Sequence, residues 1–154
     1  MPIIKIISGG QTGVDRAGLD AAIELGIEHG GYAPKGRLAE DGTIPEKYRM
    51  QELAKGGYSA RTKKNIESSD ATLVFCKGTP KTGTKLTVDH AKKIGKPVLV
   101  LDTDAVNIPT AVKVFQAWVQ SNDIQVLNVA GPRLSSAPTV AAMAKRVLIA
   151  ALSQ

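Results

Sequence analysis

The residues best placed to do chemistry form the run Ser8-Gly9-Gly10-Gln11-Thr12-Gly13-Val14-Asp15-Arg16, directly after the apolar segment Ile3 to Ile7. Glycines let a backbone approach a ligand closely and adopt positive φ. Where a helix opens behind such a turn, its first N–H groups are unpaired and carry the positive end of the helix dipole. That combination binds phosphate and other oxyanions. The spacing is not that of a P-loop, since no Gly-Lys-Ser/Thr follows, and the full Gly-x-Gly-x-x-Gly fingerprint is also missing. Taken alone, the run reads equally well as a structural tight turn.

Two further turns shift the balance. Lys77-Gly78-Thr79-Pro80-Lys81-Thr82-Gly83-Thr84 follows the apolar run Ala71 to Cys76, and Ala130-Gly131-Pro132-Arg133-Leu134-Ser135-Ser136 follows Ile124 to Val129. Three polar, glycine-containing turns on one edge of a parallel sheet would surround a single crevice, where such sheets bind ligands. The candidate contacts are Gly9, Gly10, Gln11, Thr12, Gly13 and Arg16 from the first turn. The second offers Gly78, Thr79, Thr82, Gly83 and Thr84, and the third Gly131, Arg133 and Ser135. Lys35, Arg37 and Arg61 could add positive charge, although a solvated surface is the commoner fate of Lys and Arg. Arg133 has the strongest case, because Gly131 and Pro132 fix its turn. Asp15 reads either as a first-turn acid stabilised by the dipole or as a ligand for a hydroxyl. Glu40-Asp41 is either a solvated turn or a pair reaching into the crevice. A bulky residue at Gly10 or Gly13 is expected to abolish ligand binding while leaving the fold largely intact.

Other chemistry has little support. His29 and His90 lie far apart without metal-ligand spacing, and neither a Gly-x-Ser-x-Gly elbow nor a Cys/His signature occurs. Asp89 reads as a helix-surface acid. The single cysteine, Cys76, excludes an internal disulfide and sits in an apolar run, the setting of a buried structural thiol. No catalytic residue and no metal ligand is therefore assigned.

The elements that must hold these turns alternate regularly. Ile3 to Ile7 reads as a buried parallel strand, and Val14, Leu19, Ala22 and Ile23 recur at helical spacing up to a capping Gly26. A short second strand is expected at Gly30 to Ala33. Lys35 to Gly57 reads as a long functional loop, or a loop around one short helix. Ser59 to Ser69 is expected as a helix with a basic face, Ala71 to Cys76 as a strong strand, and Thr84 to Ile94 as a helix closed by Gly95. Val98 to Leu101 and Ile124 to Val129 read as strands. Between them Pro109 starts a helix carrying Ala111, Val114, Phe115, Trp118 and Val119 on one face. A last helix shows Val140, Ala144, Val147, Leu148 and Ala151 on one side. Five strand–helix alternations predict a single Rossmann-like α/β domain over residues 1–154, a mainly parallel sheet of five or more strands with helices on both faces.

Composition agrees. Of 154 residues, 43% are hydrophobic and only 4% aromatic, so the core must rest on Val, Ile, Leu and Ala. The net charge of +6 reads equally as an ordinary basic surface or as attraction to an anion. Its bases are dispersed and few aromatics could stack on nucleobases, so a small anion fits better than nucleic acid. The amino-terminal residues lack a signal-peptide pattern, and no apolar run could span a bilayer, which leads to an expected cytoplasmic location.

The first block continues through Ala17-Gly18, and further blocks follow it: Gly31-Tyr32-Ala33-Pro34-Lys35-Gly36-Arg37, Ala39-Glu40-Asp41-Gly42 with Ile44-Pro45 and Tyr48, Arg61-Thr62 with Asn65, Ser69-Asp70-Ala71-Thr72, Thr82-Gly83-Thr84, Gly95-Lys96-Pro97, and Asn128 to Arg133. Together they resemble the molybdenum carrier family, which includes molybdenum cofactor carrier proteins. The resemblance spans nearly the whole chain. It implies binding, storage or transfer of molybdenum cofactor (molybdopterin), a pterin whose own dithiolene holds the metal and whose phosphate would seek a basic, N–H-rich crevice. It also implies a homo-oligomer, with molybdoenzymes or cofactor-biosynthesis proteins as partners.

The family is similar in turn to the lysine-decarboxylase-like phosphoribohydrolases, which cleave nucleoside monophosphates with a Pro-Gly-Gly-x-Gly-Thr-x-x-Glu loop. The matching residues here are Thr79-Pro80-Lys81-Thr82-Gly83-Thr84-Lys85-Leu86-Thr87, with Thr87 where the catalytic Glu would stand. A hydroxyl cannot stabilise an oxocarbenium-like transition state as a carboxylate would. The resemblance therefore leans toward a carrier, with a nucleotide-binding protein or nucleoside monophosphate N-glycosidase as the alternative.

Overall fold

The computed structural model describes residues 2–153; Met1 and Gln154, the ends of the expected domain, lie outside the described residues. A five-stranded sheet is built from β1 (Lys5–Ile7), β2 (Glu28–Gly30), β7 (Ala71–Cys76), β8 (Val98–Asp102) and β9 (Val126–Ala130). Its spatial order is β2-β1-β9-β7-β8, and every pairing is parallel. The helices are α1 (Val14–Leu25), α2 (Tyr58–Glu67), α3 (Thr82–Lys93), α4 (Ile108–Asn122) and α5 (Val140–Leu152). This is the expected Rossmann-like α/β domain.

Strand period sorts the side chains between two faces. Leu73, Phe75, Leu127, Val129 and Ile6 point into the main core, where α1, α5 and α4 pack side by side and contribute Ala21, Ala144, Leu148 and Phe115. The residues between them, Thr72, Val74, Cys76 and Asn128, belong to the opposite face, where α2 packs against α3. All six residues of β7 are buried, as a central parallel strand requires. Asn107 caps α4 by accepting from the Thr110 N–H at 2.9 Å, and Pro109 falls in the first turn as expected.

Two expectations shift. The second sheet strand is Glu28–Gly30, not Gly30 to Ala33. Gly31 takes φ 129° so close to β1 that an added Cβ would lie 2.1 Å from the Ser8 carbonyl oxygen, and the chain leaves the sheet there. Tyr32–Ala33 then forms β3, which pairs in parallel with β6 (Gln51–Glu52). Asn65 supports β3 from α2, accepting from the Tyr32 N–H at 2.8 Å and donating to its carbonyl at 3.0 Å. The second shift concerns Lys35 to Gly57, which carries no helix. It holds an antiparallel hairpin of β4 (Leu38–Ala39) and β5 (Gly42–Thr43), followed by β6. Ile44, Tyr48 and Ala39 bury against Leu19 and Ala33 in a small second core, so this segment is packed structure.

Candidate functional site

The turns after β1, β7 and β9 converge on one cavity of about 850 Å³, within the usual range for small-molecule sites. From the first turn Gly9 and Gln11 line it, from the second Gly78, Thr79, Thr82, Gly83 and Thr84, and from the third Gly131 and Arg133. The sheet supplies the floor through Cys76 and Asn128, whose amide donates to Thr72 Oγ1 at 3.2 Å. The fourth wall is α2, with Tyr58, Ser59, Arg61, Thr62 and Asn65. Neither α2 nor α3 has a side-chain cap, which leaves first-turn amides available at the cavity.

Seven predicted contacts lie outside this wall, and each has a structural task or an exposed setting. Gly10 faces Ile44 and Met50 of the second core, and Gly13 abuts the backbone of Pro132 and Leu134. The Thr12 hydroxyl accepts from the Leu134 N–H at 3.1 Å and donates to Glu40. Arg16 forms a two-pronged bond to Asp41 at 2.6 and 2.8 Å. Arg37 donates to the carbonyls of Ile44, Pro45 and Tyr48, holding the segment after the hairpin. Ser135 binds Glu40 through its amide and hydroxyl, and Lys35 is exposed. Glu40 and Asp41 therefore tie the hairpin to the first and third turns. The placement of Gly10 and Gly13 also means that bulky substitutions there would strain the fold itself.

Charge in the cavity is organised by Arg61. Its Nη1 donates to Asp15 Oδ2 at 2.9 Å, with the two side chains 11% and 6% exposed. Gly9 makes room for it, since a Cβ there would fall 1.7 Å from Arg61 Nη1. Burial pushes the Asp15 carboxyl above its ordinary value, and Arg61 pulls it part of the way back. The second lining carboxylate, Asp104, bonds to Lys77 at 2.8 Å. Lys81 and Arg133 add two more cations, and the guanidinium groups of Arg61 and Arg133 lie 5.4 and 5.8 Å from the ring centre of Tyr58. Cys76 is buried and donates to the Gly78 carbonyl, and burial pushes its thiol up, the setting of a structural cysteine.

Two buried donors find no protein partner among the described residues: Gln11 Nε2 and Arg61 Nε, both on lining residues. Buried donors are nearly always satisfied, so two unpartnered N–H groups on residues of one cavity wall set that wall apart. Sequence reading found Gln11 and counted Arg61 only as a spare cation. It missed α2 as a wall, because the Arg61–Asp15 contact joins residues remote along the chain.

Residues 6–152 match the model of the Circularly permutated YpsA SLOG family. The chain belongs to that family. The crystal structure of a "Putative molybdenum carrier protein" from Syntrophus aciditrophicus SB, at 1.45 Å resolution, superposes with a TM-score of 0.96. The two share 47% sequence identity over 97% of this chain and 95% of that one. No curated protein matches the chain. Among the described residues of this SLOG family member, no helix is long and apolar enough to cross a membrane, and no cluster of His, Cys, Asp or Glu is arranged to hold a metal ion.

Proposed function

We propose that the chain binds, stores or transfers molybdenum cofactor, receiving its phosphate and oxyanionic metal centre as cargo in the cavity between the three turns. The observation that carries this reading is the convergence of three turns on one cavity whose wall bears Arg61, Lys77, Lys81 and Arg133, with unpartnered N–H groups on its residues Gln11 and Arg61. Oxyanions are satisfied by such fixed N–H donors and cations. The cofactor brings its own sulfur ligands to the metal, so a protein cage of Cys or His is not required. Gly9, Gln11, the Gly78–Thr84 turn, Gly131 and Arg133 are the proposed contacts. The printed name of the 47%-identical protein points the same way. A cytoplasmic location, a homo-oligomer and exchange with molybdoenzymes or cofactor-assembly proteins belong to the same proposal.

Purified protein should retain the cofactor through gel filtration and slow its decay, read by the fluorescence of its oxidised pterin. Failure to retain it at micromolar concentration ends the reading. A nucleoside monophosphate shares the phosphate chemistry, and Tyr58 at the wall favours keeping that second reading. Hydrolysis is the weaker form of it. Thr87 is buried with its hydroxyl donating to the Gly83 carbonyl, and both lining carboxylates are ion-paired. Native mass spectrometry of the isolated protein, followed by incubation with nucleoside monophosphates, separates cofactor, bound nucleotide and released base.

A further inference from the structure

Gln11 is 5% exposed, and its amide has one acceptor and two donor positions. Its Oε1 accepts from the Thr12 N–H at 3.0 Å and from the Glu40 N–H at 2.8 Å. A flipped amide would set N–H against N–H at both contacts, so the orientation is fixed and Nε2 is the end left without a partner. Of the two N–H groups that fix it, Thr12's comes from the same turn. Glu40's comes from the β4–β5 hairpin, 29 residues away.

Glu40 is itself anchored by its carboxylate. That group accepts from the Ser135 amide at 3.1 Å and from the hydroxyls of Ser135 and Thr12, and the Thr12 hydroxyl accepts in turn from the Leu134 N–H. These bonds, Ser135's hydroxyl foremost, hold the Glu40 carboxyl below its ordinary range. Arg16 and Asp41 fasten the next residue of the hairpin. Glu40 does not line the cavity, yet it joins the first turn to the third and delivers an N–H to Gln11.

We infer that Glu40 is a positioning residue: by anchoring the hairpin it locks Gln11 as a one-way donor, which tunes the cavity for groups that only accept, such as oxyanions. The inference rests on the proposed anion-binding role of this cavity. With the anchor lost, the amide is free to turn, and Oε1 would then repel the same anion.

The test uses the full-length protein in two arms. In the first, ¹⁵N-labelled, ligand-free protein is observed by NMR, the Gln11 side-chain amide being identified by its loss in Gln11→Ala. Its protons should exchange slowly with water in the native chain and about tenfold faster or more in Glu40→Ala, as expected when an anchored contact opens. Glu40→Gln retains an acceptor for the Ser135 amide and should recover part of the protection. It also serves if Glu40→Ala fails to fold. Unchanged exchange in both Glu40 variants overturns the inference.

In the second arm, inorganic phosphate and molybdate are titrated calorimetrically. Gln11→Ala and Glu40→Ala should each weaken binding by about tenfold, the effect of one hydrogen bond to a charged group, and the double variant should be no weaker than the poorer single. Additive losses overturn the coupling. Absence of binding by the native chain would instead defeat the anion reading, and the exchange arm would still decide whether Glu40 holds Gln11.

Discussion

Replacing Arg61 with Met should destabilise the protein by an amount that depends on pH in a definite direction. The native Arg61–Asp15 contact is 2.9 Å long, and the Asp15 side chain is only 6% exposed. Met keeps much of the side-chain length and removes the charge, leaving Asp15 Oδ2 with the Gln11 N–H at 3.2 Å. Removing one partner of a buried pair generally costs 3–5 kcal/mol, and the adjoining cavity lets water reach this one, so about 3 kcal/mol is expected near neutral pH. Burial already holds the Asp15 carboxyl above its ordinary 3.8, and Arg61 is the main influence opposing that shift. Without Arg61 the folded-state value climbs further.

For a group raised on folding, the stabilising contribution is complete below the unfolded value and is lost as pH rises through the folded one. The variant therefore loses more than the native protein by pH 7, and the gap between them narrows on acidification. Urea unfolding at pH 7 and about pH 4.5, with equal m values, measures both gaps. A deficit under about 1 kcal/mol, as for exposed ion pairs, or one that does not shrink with acid, refutes the reasoning. Adding Asp15→Asn to Arg61→Met should restore part of the loss, because the lone buried charge is then gone.

Two other substitutions probe the supports of the site. Gly31→Ala places a Cβ 2.1 Å from the Ser8 carbonyl oxygen at φ 129°, and should cost more than about 3 kcal/mol. An unchanged melting temperature would mean that β1 and the start of β3 separate easily. Tyr48→Phe removes the hydroxyl that donates to Asp20 at 2.7 Å, and should cost about 1 kcal/mol in urea unfolding. Burial and the same contact push the Tyr48 phenol far above its ordinary range, so Tyr48 should stay protonated in an ultraviolet titration carried past the ordinary phenol value of about 10. Its ionisation in the ordinary phenol range would show that the second core is open to water.

The parts of this molecule that were legible in the sequence are those decided by local pattern. Ala71 to Cys76 is β7 to the residue, because a continuous apolar run closed by Lys77-Gly78 permits little else. Gly26 ends α1 in the left-handed conformation its position suggests. Parallel strands then bring their following turns to one edge, and the crevice follows from that alone. What pattern could not decide is which way each residue of a turn points. Gly9 and Gln11 line the cavity, whereas Gly10 faces Ile44 and Met50 of the second core and Thr12 bonds to the hairpin and third turn. That division is set by contacts remote along the chain, among them the β4–β5 hairpin, whose two-residue strands are too short for any periodicity to reveal.

The hairpin also explains why acids sit beside a basic crevice without weakening it. Glu40 faces hydroxyls and an amide, Asp41 faces Arg16, and Asp15 faces Arg61. Each carboxylate is satisfied within the scaffold, and the first two lie outside the cavity wall. Their bonds tie the first turn to the third and to α2, while Lys81 and Arg133 keep positive charge at the cavity wall. The acids thus serve as fasteners together with Arg16 and Arg61. This arrangement suits the proposed anionic cargo without leaving a buried charge unpaired.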